Sequence, residues 1–224
     1  MNDRLRAAFD HEPVPRDLEA RLRARLAGMQ PGAPRFGLDW QFVAASILMF
    51  VVVGGLAQYY AQKRIHDLLR VGVEDHIHCA IAGAYPHQKQ RLEMTEGLGP
   101  QFAPMLQPVI DEASAGRPTP DAVESAHRCT VNGRAYVHII LRRDGMLISV
   151  ILTKRAERES FPRALAARVI HASGIPIQED NLDGYSVSGF ESGAWLGYVV
   201  SGLPAAENDA LSVRLAPVLR RYAL

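Results

Sequence analysis

Cysteine is scarce in this chain, and Cys79 and Cys129 are its only two in 224 residues. They do not form a Cys-x-x-Cys pair, so their spacing does not identify a metal-binding motif. The sequence also lacks a Gly-x-Ser-x-Gly elbow, a glycine-rich phosphate loop and a His-Glu-x-x-His zinc motif. We therefore expect a protein that is not an enzyme and that has no cofactor.

The chain also lacks an excess of charge of either sign. It has 25 Lys and Arg against 24 Asp and Glu, which argues against direct binding to nucleic acid. Apolar residues make up 48% and charged residues 22%, so we do not expect global disorder. The length allows one or two domains and one sizeable core.

A long uncharged run is the strongest feature of the sequence. Residues 42–57, FVAASILMFVVVGGLA, contain sixteen residues without a charge, and residues 40–60 form an uncharged stretch of twenty-one. A helix of that length spans roughly the 30 Å hydrocarbon layer of a bilayer. We predict a transmembrane helix over residues 40–60, with Trp40 and Phe42 at one end and Ala57 and Tyr60 at the other. A buried core helix and a signal peptide cleaved near Ala57 are the alternatives.

Charges near the span set its predicted orientation. Residues 1–39 carry seven arginines and no lysine, and close to the span the positive charge is slightly greater on this side. We predict residues 1–39 inside, residues 61–224 outside, and the bacterial inner (cytoplasmic) membrane as the location. Leu18, Leu22 and Leu26 recur at helical spacing in the inner segment. This amphipathic helix is a candidate for binding a partner protein or the lipid surface.

The outer part is predicted to be an α+β domain of about five mostly antiparallel strands with flanking helices. A stalk helix should enter it, interrupted or bent at Gly72, and Asn132-Gly133 should form a two-residue hairpin loop. Further predictions are a turn at Asp144-Gly145, a helix around residues 163–171, two strands within residues 183–203, and a closing helix from Pro204.

Hairpin register predicts a cluster of histidine and cysteine. If Asn132-Gly133 is the loop, Cys129 faces Tyr136 and His127 faces His138, all on the side of the sheet away from Val137. On the stalk helix, His76 and Cys79 are three residues apart and share a face. Packing of that helix on the histidine side would bring Cys79 and Cys129 together.

Three interpretations of this cluster stay open. Two lone cysteines in an oxidising compartment favour a disulfide between Cys79 and Cys129. Thiolate and imidazole ligands from His76, Cys79, His127 and Cys129 would suit zinc or Cu(I). In the third interpretation the residues are free or buried independently of one another.

The outer sequence resembles a known family. Gly133-Arg134 with the strand at residues 137–142, then Val200-Ser201-Gly202-Leu203 followed by Glu207, are similar to the outer domain of bacterial single-pass membrane anti-sigma factors. Gly202 stands where that family usually has Asp. The resemblance covers roughly residues 70–220 and implies a sensor or scaffold domain whose state is relayed inward.

The inner segment departs from this family. Residues 1–39 contain His11 and no cysteine, so they do not carry the cysteine motif of the cytoplasmic zinc-binding domain that this family usually has; a truncated or diverged relative, or a sigma-binding part on another chain, would explain this. The first hypothesis is a membrane regulator acting through protein contacts, with a cytoplasmic sigma factor or regulator, membrane lipid and a second copy as candidate partners. The others are a periplasmic thiol-redox or metal-responsive protein, and a structural subunit of an envelope complex.

Overall fold

The computed structural model describes residues 17–28, 40–83, 91–162 and 169–223. The chain divides into two compact units, Met1–Val53 and Gly54–Leu224. In the first unit, helix α1 (Leu18–Gly28) lies where a helix was predicted, and Leu18, Leu22 and Leu26 are all exposed. The remainder of the predicted inner segment lies outside the described residues.

Helix α2 (Trp40–Asp75) begins at the predicted residue and continues as a π-helical turn over His76–Ile81. Residues 42–81 form the one helix, within the described ranges, whose length and composition suffice to cross a membrane. From Ile65 onward, four of its apolar side chains are buried in the second unit: Ile65, Leu68, Leu69 and Val73. A long apolar helix leading into an α+β domain was therefore correctly predicted.

Gly72 does not interrupt helix α2, contrary to the prediction. A Cβ atom at this position would lie 2.8 Å from Cγ of Tyr198, which is fully buried. Distances below about 3 Å are not tolerated between such carbon atoms. Because Gly72 has no side chain, the helix backbone can approach the sheet closely.

The second unit is built on a seven-stranded antiparallel sheet, in the order β1-β2-β3-β7-β6-β5-β4. Helices α3 (Arg91–Leu98) and α4 (Leu106–Ser114), the latter preceded by a short 3-10 turn (Ala103–Met105), come before the first strand. The strands are β1 (Ala122–Val131), β2 (Arg134–Arg143), β3 (Met146–Lys154), β4 (Val169–Ala172), β5 (Ile175–Leu182), β6 (Tyr185–Ser192) and β7 (Trp195–Ser201). Helix α5 (Ala205–Tyr222) follows the last strand.

The predicted number of five strands was wrong, because β4 and β5 were missed. Residues 169–171 were assigned to a helix, but they belong to the short strand β4; residues 163–168 lie outside the described part. Two-residue turns at Ser173-Gly174 and Asp183-Gly184 bound β5 with positive φ at both positions, as Asn132-Gly133 bounds β1 and β2. These turns are the sequence signal that identifies the two missing strands.

The two faces of the sheet carry separate cores. Helices α3, α4 and α5 cover one face, where Val137, Ile139 and Leu141 of β2 are buried. Helix α2 and the π-helical turn after it, which contains Cys79, cover the other face, where Ile140, Ile151, Tyr198 and Cys129 are buried. The prediction that the stalk helix lies on the cysteine side is confirmed, and this placement gathers buried thiols and imidazoles between helix and sheet.

Candidate thiol–imidazole site

The hairpin of β1 and β2 places three groups of the site. Cys129 pairs with Tyr136 and His127 pairs with His138, so the predicted register is confirmed. Asn132 and Gly133 have φ of 51° and 78°, the conformation that a two-residue loop of this type requires. Because side chains alternate along a strand, His127, Cys129 and His138 all face helix α2.

The end of helix α2 supplies the remaining groups. Asp75 is the last residue of the α-helical part, and Cys79 lies four residues later in the π-helical turn. Both are buried, with at most 2% of either residue exposed. Single π-helical turns occur frequently at functional sites. Here the turn carries Asp75 and Cys79 to the same point of the β1–β2 hairpin.

The two sulfur atoms are neighbours. Sγ of Cys79 lies 3.6 Å from Sγ of Cys129, and both thiols are free. Oδ1 of Asp75 lies 3.6 Å from the first sulfur and 3.4 Å from the second, so the same carboxylate oxygen is within hydrogen-bonding distance of both. A disulfide bond is about 2.05 Å long, so its formation would need the sulfurs to approach by roughly 1.5 Å.

Two histidines complete the group. The ring centroids of His127 and His138 are 5.5 Å apart. One nitrogen atom from each ring and the two sulfur atoms form a group of four, in which every atom lies within 4.8 Å of the others. Nδ1 of His127 lies 2.9 Å from Oγ of Ser125. Nδ1 of His138 lies 3.0 Å from Oδ2 of Asp75. The imidazole N–H of His138 is not aligned on that oxygen, so this is a close ionic contact rather than a linear hydrogen bond.

Proximity changes the acidity of these groups. A hydrogen bond from Cys129 lowers the pKa of Cys79 to about 3, and hydrogen bonds with His127 and His138 lower it as well. Burial acts in the opposite direction. The pKa of Cys129 is raised by its bond to Cys79 and by burial. Burial lowers the pKa of His138, but Asp75 and Cys79 outweigh it and raise the pKa to about 9. The site thus favours one thiolate beside one imidazolium.

His76, which the sequence assigned to the metal ligands, lies elsewhere. Its Nδ1 is 2.6 Å from Oγ of Ser149 on β3, and its ring packs edge-on against Tyr185. Burial lowers its pKa to about 4, and His138 acts in the same direction. The structure therefore brings together Cys79, His127 and Cys129 of the predicted set and replaces His76 by His138.

Sequence reasoning missed Asp75 and Ser125 as members of the site. Asp75 precedes Cys79 by four residues, a spacing that places both on one helix face, so a signal for it existed. Ser125 had a signal as well, because it lies two residues before His127 on β1 and keeps the register set by the loop; the β-bulge falls before it, between Val123 and Ser125. Trp40, Phe42, Ala57 and Tyr60 of the predicted span are all exposed.

No protein family, curated protein or solved structure matches this chain. The site must therefore be interpreted from its own chemistry. Buried thiols and imidazoles can bind a soft metal ion, or the two thiols can be oxidised to a disulfide.

Proposed function

We propose that this protein is a single-pass membrane sensor of the anti-sigma type, which acts through protein contacts rather than catalysis. One observation carries the proposal: helix α2 has an apolar, exposed beginning and a buried end at the Cys79–Cys129 site. A change at that site acts directly on a helix suited to crossing a bilayer. The resemblance of residues 70–220 to outer anti-sigma domains supports the same function.

In this proposal the inner segment binds the partner. Leu18, Leu22 and Leu26 of α1 are 39%, 52% and 66% exposed, an apolar stripe between arginines. Such a helix can lay its apolar stripe in a groove of another protein. The proposed partner is a cytoplasmic sigma factor, with residues 1–39 in the cytoplasm and the outer domain beyond the bacterial inner membrane.

Photo-crosslinking in membranes of the source bacterium tests this function. A photoreactive amino acid replaces Leu22 in the full-length protein, and in a matched variant it replaces Ala24, which lies on another side of α1. We expect a sigma factor, identified by mass spectrometry, to be captured from position 22 and much less from position 24. Capture of lipid alone from position 22 would contradict the proposal.

Fusions test the orientation. Alkaline phosphatase placed after residue 224 should be active, because the enzyme folds only outside the cytoplasm, and GFP at the same point should be dark. A dark phosphatase fusion with a fluorescent GFP fusion would show that the orientation is reversed.

A thiol-redox sensor is the second candidate function, favoured by the 3.6 Å between the two sulfurs. Forming the bridge would release two protons and transfer two electrons to an external oxidant. Thiol counting on denatured protein taken from cells without reduction tests it. Two free thiols per chain would reject this candidate.

A further inference from the structure

We propose that Cys79, His127, Cys129 and His138 bind a tetrahedral Zn²⁺ ion that fastens the end of helix α2 to the β1–β2 hairpin. This inference rests on the proposed function only in treating the site as the sensing part of the molecule. The binding itself is argued from the geometry of the four groups and of two side chains behind them.

The spacing of the four groups fits one ion. Their ligand atoms lie within 4.8 Å of one another, and the two sulfurs are 3.6 Å apart. Two thiolates at the usual Zn–S distance of about 2.3 Å and a tetrahedral angle are about 3.8 Å apart. The sulfurs thus already have the separation that the ion requires, whereas a disulfide would need them to move closer.

In both histidines, Nδ1 of the ring is next to a side-chain oxygen. Nδ1 of His127 is beside the Ser125 hydroxyl, and Nδ1 of His138 is beside the Asp75 carboxylate. A histidine that binds zinc through one nitrogen usually donates its other ring N–H to an oxygen; His127 has such a contact with Ser125, and His138 has an ionic contact with Asp75. Here this arrangement assigns Nε2 as the ligand atom of both rings.

The environment of His138 supports this assignment. The residue is fully buried, and its Nε2 has no hydrogen-bond partner within the described ranges. A buried polar nitrogen without a partner costs free energy, which a bound metal would remove. A bound metal would thus give Nε2 of His138 a directed bond in addition to the electrostatic interaction with Cys79.

The ligand types select the metal. Two thiolates and two neutral imidazoles balance the charge of a divalent ion and suit Zn²⁺, whereas Mg²⁺ and Ca²⁺ prefer oxygen ligands. All four residues are buried, at 5% exposure or less. Four protein ligands leave no open position, which is typical of structural zinc rather than catalytic zinc.

The origin of the ligands gives the ion its role. Cys79 comes from the π-helical turn that follows α2, while the other three ligands come from β1 and β2. Loss of the ion would therefore remove one link between the helix and the sheet. Oxidants or competing metals that attack the thiolates would act at this link.

Metal analysis of the full-length, untagged chain in detergent tests the proposal. We expect about one Zn²⁺ per chain, and X-ray absorption showing two sulfur ligands near 2.3 Å and two nitrogen ligands near 2.0 Å. His138→Gln should lower the zinc content at least tenfold. His76→Gln is the matched control, since His76 is an equally buried histidine on the same face, and it should keep its zinc.

Four results would overturn the proposal. They are wild-type protein without zinc, a disulfide between Cys79 and Cys129 in place of the metal, Cu(I) in place of zinc, or equal zinc loss in the His76 and His138 variants. If His138→Gln does not fold, the X-ray absorption spectrum of the wild-type protein decides the question alone. A spectrum without two sulfur ligands would show that Cys79 and Cys129 do not both bind the metal. Crosslinking from Leu22 is read out separately, so failure of the regulatory function leaves the metal result intact.

Discussion

The two faces of the sheet differ in the hydrogen bonding of their buried polar groups. Beneath α5, Asn208 is fully buried and donates a hydrogen bond to Ser188 at 2.9 Å, while its Oδ1 accepts one from Ser201 at 2.8 Å. Beneath α2, His138 is equally buried, yet its Nε2 has no such partner in the described part of the chain. Both groups are withdrawn from solvent, so the difference arises from their partners.

This difference separates a complete hydrogen-bond network from a cluster that could bind a further group. Asn208 links α5 to β6 and β7 with hydrogen bonds that the protein itself completes, which is the usual arrangement of a buried amide. The cluster under α2 combines a carboxylate, two thiols and two imidazoles in close contact, and such a site is costly without a further positive charge. We therefore expect the stability of the α2 face to depend on metal ions, and the stability of the other face to be independent of them.

Metal removal should produce the largest difference. Zinc-finger peptides bind structural zinc with about 10 kcal/mol or more of free energy, so removal of the proposed ion by a strong chelator should lower the unfolding temperature of the full-length protein markedly. The measurement is a thermal scan of the detergent-solubilised chain with and without chelator. Cys129→Ser serves as the control and should unfold at a low temperature that the chelator does not change.

Truncation of an apolar side chain tests whether α2 is part of the folded core. Leu69 and Leu215 are both fully buried, the first in α2 and the second in α5. Replacing either by Ala should cost about 2–5 kcal/mol of unfolding free energy, measured by denaturant titration. A cost only at Leu215 would show that α2 is not packed on the sheet.

Removal of the Asn208 amide tests the other face. Asn208→Ala leaves the hydroxyls of Ser188 and Ser201 without this partner and should cost about 1–3 kcal/mol. The same denaturant titration, with zinc content measured alongside, checks it. The zinc content should not change, and a loss of metal in this variant would show that the two faces are coupled.

A methyl group at residue 72 tests the close approach of α2. The added Cβ would lie 2.8 Å from the buried Tyr198 ring, and such overpacking costs about 1–3 kcal/mol, more than the roughly 1 kcal/mol that alanine gains over glycine in a helix. Gly72→Ala should therefore lower the unfolding temperature. Gly55→Ala, with nothing within 4 Å of the new atom, should not.

The smallest effect is expected at the exposed edge of the α2 contact. Arg70 and Asp183 form an ion pair at 3.8 Å with about half of each side chain exposed. Arg70→Ala should change stability by about 0–1 kcal/mol, and salt should reduce the effect further. A larger loss, seen by the same titration at low and high salt, would mean that charge rather than apolar packing holds α2.

The missed strands show a limit of pattern recognition. Strand β5 reads IPIQEDNL, with Pro176 near its start and three consecutive residues, Glu179, Asp180 and Asn181, that are at least partly exposed. Alternation of apolar and polar residues is therefore weak, and β4 has only four residues. Pairing with β6 stabilises this segment as a strand, which is a tertiary effect.

The sequence alone determined the long apolar helix, the α+β class and the register of the first hairpin. These features are local: an uncharged run of sufficient length, and an Asn132-Gly133 loop whose positive φ angles fix which residues oppose each other. The pairing of His127 with His138 therefore follows from the turn between their strands and needs no contact with a distant segment.

The choice of histidine was decided by tertiary structure. Helical spacing placed His76 and Cys79 on one face, but where each meets the sheet depends on how α2 crosses the strands. That crossing takes His76 to Ser149 of β3 and Cys79 to Cys129 of β1, and it brings Asp75 to His138. Contacts between distant segments depend on packing, here on the close approach at Gly72, and local sequence carries no record of that geometry.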